Sequence, residues 1–263
     1  MNKSQGLDVS IVLACYNAAA FLNESVRQIE DTLDASIYRY EIIFVDDHSQ
    51  DDTKSVIRDL INKKNHYKLI RHETNEGRGN TLRDGFHEAE GPIICVIDLD
   101  LNNPARYITP LLTEINRGDW DICTAQRIYK QNLGLYFLTR KMCSGINALL
   151  SSWLLQTHIK DNETGLKVFR KNTVAPILDT VQSSGWFWDT ELMTRAYYAG
   201  LSIHEMPTLF IRASKYSTVR LIPAIFQHLN SLLRFLPVKN KLRYQWLKEN
   251  KYRSIKKEQY ADL

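Results

Sequence analysis

The 263-residue sequence predicts an α/β fold: a mostly parallel central sheet with helices on both faces, followed by C-terminal amphipathic helices. Three observations carry this expectation. Apolar runs of strand length alternate with segments of helical periodicity through the first half of the chain. The runs are continuously apolar, as strands buried on both faces are. A hydrophobic content of 44% over this length is enough for one large core.

The elements follow in order. "DVSIVLA" (8–14) reads as the first strand, and from Ala18 the pattern turns helical, with Leu22, Val26, Ile29 and Leu33 on one face. "EIIFV" (41–45) is the second strand. Ser49 and Asp52 fit a capping box that opens a helix burying Val56, Ile57, Leu60 and Ile61. "YKLIR" (67–71), a helix around 78–90 and "PIICVI" (92–97) make a third unit. Pro104 suits the first position of a helix over 104–117, and "DWDICTA" (119–125) reads as a further strand.

The second half is less regular. Residues 133–156 look helical and mostly apolar, with an interruption near Gly145. A strand "GLKVF" (165–169), a helix around 187–199 and a strand pair around 201–212 follow. The expected organisation is one domain over 1–217, then an amphipathic helix and basic tail over 218–263.

Charge is unevenly spread. The net charge is +4, yet residues 239–263 hold eight Lys or Arg against three Asp or Glu, which suits an anionic surface or a solvated end. Cys15, Cys95, Cys123 and Cys143 form no CxxC pair and have no histidine at metal spacing, so they are expected as free thiols in a reducing compartment. The apolar run near the N-terminus is too short for a secretory signal, and no stretch is long enough for a transmembrane helix.

In parallel sheets, ligands bind beyond the carboxyl ends of the strands. Asp46 and Asp47 end the second strand, and Asp98 and Asp100 end the fourth, so both pairs are expected in one crevice. A D-x-D pair at a strand end offers hard oxygen ligands suited to Mg²⁺ or Mn²⁺. Its plainer reading is a helix cap and a solvated carboxylate. Gly77 and Gly79 before a helix permit close backbone approach to phosphate, with Arg78 adding charge; an ordinary glycine turn has the same pattern.

Taken together, "VSIVLACYN", "EIIFVDDHSQDDT", "NEGRGNTLRDGFHEAEG", "VIDLDLNNP", "DNETGLKVFRKN" and "GWFWDTELMTRAYYAGLSIHEMP" resemble family 2 glycosyltransferases over roughly residues 8–220. Within that family the chain is similar to the branch that makes dolichyl- or polyprenyl-phosphate sugars. The resemblance implies a GT-A fold, a nucleotide-diphosphate sugar (UDP- or GDP-linked), Mg²⁺ or Mn²⁺, and inversion at the anomeric carbon. It places Ala14, Tyr16, Asn17, Asp46, Asp47, Gly77, Arg78, Gly79, Asp98, Leu99 and Asp100 at the donor, with Asp98 and Asp100 on the metal. Two departures stand out: the family usually has proline where Ala14 stands and glutamate where Ala18 stands.

Asp189 and Glu191 match the family position of a general base, which a hydroxyl acceptor needs. A lipid phosphate is already ionised and needs cations instead. Arg127, Arg140, Ser144, Arg212 and Ser217 match the family's phosphate-binding pattern. The resemblance thus implies hexose transfer to a polyprenyl phosphate at the cytoplasmic face of a membrane, by a peripheral protein, with no nucleic acid involved. Transfer to a hydroxyl of a glycan or other soluble acceptor, and non-catalytic binding of a nucleotide sugar, are the alternatives. A D-x-D phosphatase is disfavoured, because the motif follows the fourth strand and Asn102 replaces the expected threonine.

Overall fold

The computed structural model describes residues 6–129, 153–211 and 221–261. The described strands are β1 (Val9–Cys15), β2 (Tyr40–Asp46), β3 (Tyr67–Arg71), β4 (Ile93–Val96), β5 (Ile122–Tyr129), β6 (Lys167–Arg170) and β7 (Ile203–Phe210). They form one sheet in the order β3-β2-β1-β4-β6-β5-β7. β6 is antiparallel to β4 and to β5, while all other neighbours are parallel.

Both faces of the sheet are covered, which explains the uninterrupted apolar strands. On one face Ile11 and Leu13 of β1 pack with Val26 and Ile29 of α1 (Leu22–Asp34) and Leu111 of α4 (Ile108–Asn116). On the other, Val12 and Ile43 pack with Leu82 and Phe86 of α3 (Arg78–Glu88) and with Leu192 and Met193 of α6 (Trp188–Tyr198). A strand period of two sends neighbouring side chains into different cores. Two more helices, α2 (Thr53–Ile61) and α5 (Lys171–Leu178), complete the body. The last helix, α7 (Leu221–Ala261), lays Leu232 and Phe235 against Phe187.

Several boundaries differ from expectation. α1 starts at Leu22 because the chain before it is pinned: Ala18 N–H donates to Thr53 Oγ1 at 2.7 Å and Ala19 N–H to Asp51 at 3.1 Å. No capping box forms at α2; Ser49 Oγ accepts Asn17 N–H at 2.9 Å, and Asp51 takes Thr53 N–H at 3.0 Å. Pro104 has an extended ψ of 140° and precedes a 3₁₀ turn, Ala105–Tyr107, ahead of α4. The strand pair around 201–212 is the single strand β7, whose Pro207 is tolerated because β7 is an edge. α5 was not anticipated, since Pro176 lies inside it and masks its helical signal.

The segment 133–156 lies mostly outside the described residues, as does the 217/218 boundary. Beyond that boundary stands one 41-residue helix, Leu221–Ala261. Among the described residues, no helix is long and apolar enough to cross a membrane.

Candidate active site at the carboxyl ends of the strands

The site starts where β2 ends. Asp46 is fully buried; it accepts Ser49 N–H at 3.1 Å and pairs with Arg71 at 3.3 Å. Asp47 accepts backbone N–H groups from Glu76 (2.7 Å) and Gly77 (2.9 Å), and its Oδ1 lies 2.8 Å from His72 Nδ1. The other ring nitrogen of His72 is 2.9 Å from Asp84 on α3. Burial pulls the His72 pKa down, but hydrogen bonds to the two carboxylates outweigh it and hold it above the usual imidazole range. Asp47 is thus the clamp of the 75–77 turn.

The strand end of β1 is tied to the same region. Asn17 takes a left-handed φ of 50°, accepts Gln50 N–H at 2.8 Å through its side chain, and is followed by the buried Ala18. Tyr16 is exposed beside it, and Ala14 is half-buried on β1.

Gly77 and Gly79 are explained by a strap, residues 182–184, that crosses the start of α3. A Cβ on Gly77 would lie 2.6 Å from the Ser184 carbonyl oxygen, and one on Gly79 would lie 2.8 Å from that of Ser183. Gly79 N–H donates to the Ser184 carbonyl at 2.6 Å. Glu191 holds the strap in place. Its buried carboxylate accepts Gln182 N–H (3.1 Å), Ser183 N–H (3.0 Å) and Ser183 Oγ–H (2.6 Å), and pairs with Arg195 at 2.7 Å.

Arg78, the first residue of α3, joins the remaining groups. Its guanidinium donates to Asp98 Oδ1 through Nη2 (2.8 Å) and Nε (3.3 Å), and through Nη1 to Asp189 Oδ2. Its face lies 5.6 Å from the ring of Trp186, itself 56% exposed. The other Asp189 oxygen accepts from Lys167 Nζ at 2.7 Å. Asp189 and Lys167 side chains are 5% and 1% exposed, whereas the Asp98 side chain is 37% exposed.

Burial raises the Asp98 carboxyl pKa, but Arg78, then Lys167 and Arg127, overcome it and leave it below the ordinary carboxylate range. Leu99 points into the core, with its carbonyl accepting Ser25 Oγ–H at 2.5 Å, while Asp100 on its far side is exposed and accepts Asn102 N–H at 3.2 Å. The motif is therefore two carboxylates separated by a core anchor.

Whether these residues fit a divalent cation is answered by Gly165. The backbone there runs so close that a Cβ on Gly165 would lie 1.9 Å from Asp98 Oδ2, and Asp98 N–H donates to the Gly165 carbonyl at 3.1 Å. The missing side chain makes room for an ionised carboxylate with hard oxygens, which suits Mg²⁺ or Mn²⁺. A second cluster, His72, Glu76 and Asp84, has ligand atoms within 4.8 Å of one another, but both His72 nitrogens are already engaged by carboxylates.

The structure brings Asp47, Gly77, Arg78, Gly79, Asp98 and Asp189 into one connected network. Arg127 belongs to a neighbouring one, pairing with Asp161 through Nε (2.7 Å) and Nη2 (2.7 Å). Arg140, Ser144, Arg212 and Ser217 lie outside the described residues. Lys167, His72 and Gly165 were missed as site residues. A lysine inside the apolar run "GLKVF" was the available signal for Lys167; nothing local marks His72.

Comparison with known proteins bears on the family and the fold. A family model described as glycosyl transferase family 2 matches residues 10–178. Glycosyltransferase AglD of Haloferax volcanii is 28% identical over 77% of this chain, and the chain spans 33% of that protein. Dolichol-phosphate mannosyltransferase of Pyrococcus furiosus is 29% identical over 88% of this chain, which spans 64% of it. Glucosyl-3-phosphoglycerate synthase from Mycobacterium tuberculosis, solved in complex with Mn²⁺ and UDP-glucose, superposes with a TM-score of 0.61 at 18% identity, covering 88% of this chain and 79% of that one. The fold is accordingly GT-A, and the chain belongs to glycosyl transferase family 2.

Proposed function

We propose that the chain transfers a hexose from a nucleotide-diphosphate sugar, UDP- or GDP-linked, to a polyprenyl phosphate, with inversion. The observation that carries this reading is the double pairing of Asp189. Arg78 occupies one of its oxygens and Lys167 the other, and the side chain is almost wholly buried. A base for a hydroxyl acceptor needs a carboxylate oxygen within hydrogen-bond reach of the acceptor proton. A phosphate acceptor arrives ionised and requires no such group.

In this reading Asp47 and the strap held by Glu191 shape the turn that receives the nucleotide. Asp98 and Asp100 hold the divalent cation, which when bound neutralises charge on the departing diphosphate. Asp189 anchors Arg78, and Glu191 positions the strap. Arg127 with the undescribed Arg140, Ser144, Arg212 and Ser217 is assigned to the acceptor phosphate.

A lipid acceptor is supported by α7. Phe226, Leu233, Tyr244 and Leu247 are exposed large apolar side chains on that helix, and their spacing puts them along one stripe. Arg234, Lys241, Arg243 and Lys248 are exposed on the same helix. Such a helix suits peripheral binding to an anionic membrane surface, on the cytoplasmic face in this proposal. The name of the Pyrococcus furiosus relative points to the same acceptor class.

The test is transfer of labelled sugar from UDP- and GDP-sugars, with Mn²⁺, to a polyprenyl phosphate and to the matching polyprenol. Label is expected in the organic phase with the phosphate alone. Label entering only a water-soluble glycan would favour the hydroxyl-acceptor reading, and no turnover of any donor would leave a binding protein.

A further inference from the structure

Arg78 makes contacts that a simple phosphate-binding arginine does not need. It bonds twice to Asp98 Oδ1, once to Asp189, and its plane rests on Trp186 at 5.6 Å. Asp98 is also the more enclosed of the two carboxylates assigned to the cation, and one of its two oxygens is taken by a guanidinium. A metal ion and a guanidinium at one carboxylate oxygen compete, because both draw on the same lone pairs and repel each other across a short distance. Asp189, by contrast, is shielded from solvent and receives a second cation, Lys167, on its other oxygen. The two ends of Arg78 are therefore unequal: a solvent-facing contact to Asp98 and a buried one to Asp189.

We propose that Arg78 is a built-in competitor for the cation at Asp98, and that it exchanges Asp98 for the phosphates of a nucleoside diphosphate while remaining anchored on Asp189. This deepens the reading above and rests on its assignment of Asp98 to the metal. The anchor keeps the guanidinium within reach of both positions, since one side chain has only to rotate about its buried end. The consequence is an ordering device. The pair holds the cation site in a low-affinity state until a diphosphate offers Arg78 another anion, so metal and nucleotide bind cooperatively.

The experiment measures Mn²⁺ binding to the full chain by electron paramagnetic resonance of free Mn²⁺, alone and with UDP or GDP. Arg78→Met is expected to bind Mn²⁺ alone about tenfold more tightly than the native chain, since a charged hydrogen-bonded competitor is removed. The same variant is expected to lose most of the gain in Mn²⁺ affinity that the diphosphate produces in the native chain. A merely structural role would weaken both. Arg78→Met that is folded, with equal or weaker Mn²⁺ binding, overturns the competition.

Asp98→Asn separates this from the underlying reading. If it abolishes Mn²⁺ binding while Arg78→Met has no effect, the metal assignment stands and the Arg78 inference falls. If Asp98→Asn leaves Mn²⁺ binding unchanged, both fall. Should Arg78→Met not fold, the native chain gives the answer through Trp186: Mn²⁺ with UDP or GDP is expected to change the tryptophan emission by a component that Trp186→Phe removes. An unchanged component at saturation overturns the exchange.

Discussion

Glu191 accepts hydrogen bonds from both the backbone N–H and the hydroxyl of Ser183, at 3.0 and 2.6 Å. A carboxylate matched to the family position of a base is thus the fastening of a strap over the start of α3. Glu191→Gln replaces one of two acceptor oxygens by a donor, so either the Ser183 groups or Arg195 and Gln182 N–H lose their acceptor, and Arg195 loses its counter-charge. It is expected to lower stability by about 3 kcal/mol in urea denaturation. The variant should also bind nucleotide more weakly, because the strap no longer presses on Gly77 and Gly79.

Gly165→Ala probes the D-x-D motif without touching a charge. The added methyl would lie 1.9 Å from Asp98 Oδ2 and 2.3 Å from its Cγ, so the carboxylate must shift away from its bonds to Arg78. Stability is expected to fall by about 1–3 kcal/mol. Mn²⁺ affinity, followed by titration, is expected to drop roughly tenfold, as displaced ligand geometry does to a metal site.

His72 predicts a pH dependence. Its pKa is raised in the folded chain, so its pairing with Asp47 and Asp84 stabilises fully below the unfolded value of about 6.5. That contribution is lost as pH rises through the higher folded value. The melting temperature of the native chain should therefore decline as pH rises from about 6.5 through that folded value. His72→Gln should begin lower and show a flatter profile in thermal denaturation scans.

Asp189→Asn tests the anchor. It leaves Lys167, 1% exposed, without its carboxylate partner, and is expected to cost about 3 kcal/mol of stability by chemical denaturation. Under the phosphate-acceptor reading, residual transfer measured on the folded fraction should persist at a reduced level. A loss of at least about 100-fold on that fraction would instead assign proton abstraction to Asp189.

The strands β1 to β4 were legible because burial on both faces leaves an unbroken apolar run, and a chain cannot hide that pattern. The D-x-D pair was legible because two carboxylates directly after such a run stand out chemically. The start of α1 was not, since Ala18 and Ala19 are held by Thr53 and Asp51, some thirty residues away in sequence. The partners of Glu191 were not legible either: a carboxylate at a helix start in the crevice says nothing by itself of the strap at 182–183 and the Arg195 that it holds.

What the sequence by itself determined is the layered α/β order of elements and the edge of the sheet where the acidic groups gather, because both follow from local periodicity and strand direction. What only the tertiary structure decided is the pairing among those groups: that Asp47 holds a turn, that Arg78 spans Asp98 and Asp189, and that Lys167 neutralises Asp189 from within β6. Those partnerships join β2, α3, β4, β6 and α6. Packing of distant segments sets the distance between charges, and distance is what turns a carboxylate into a ligand, an anchor or a clamp.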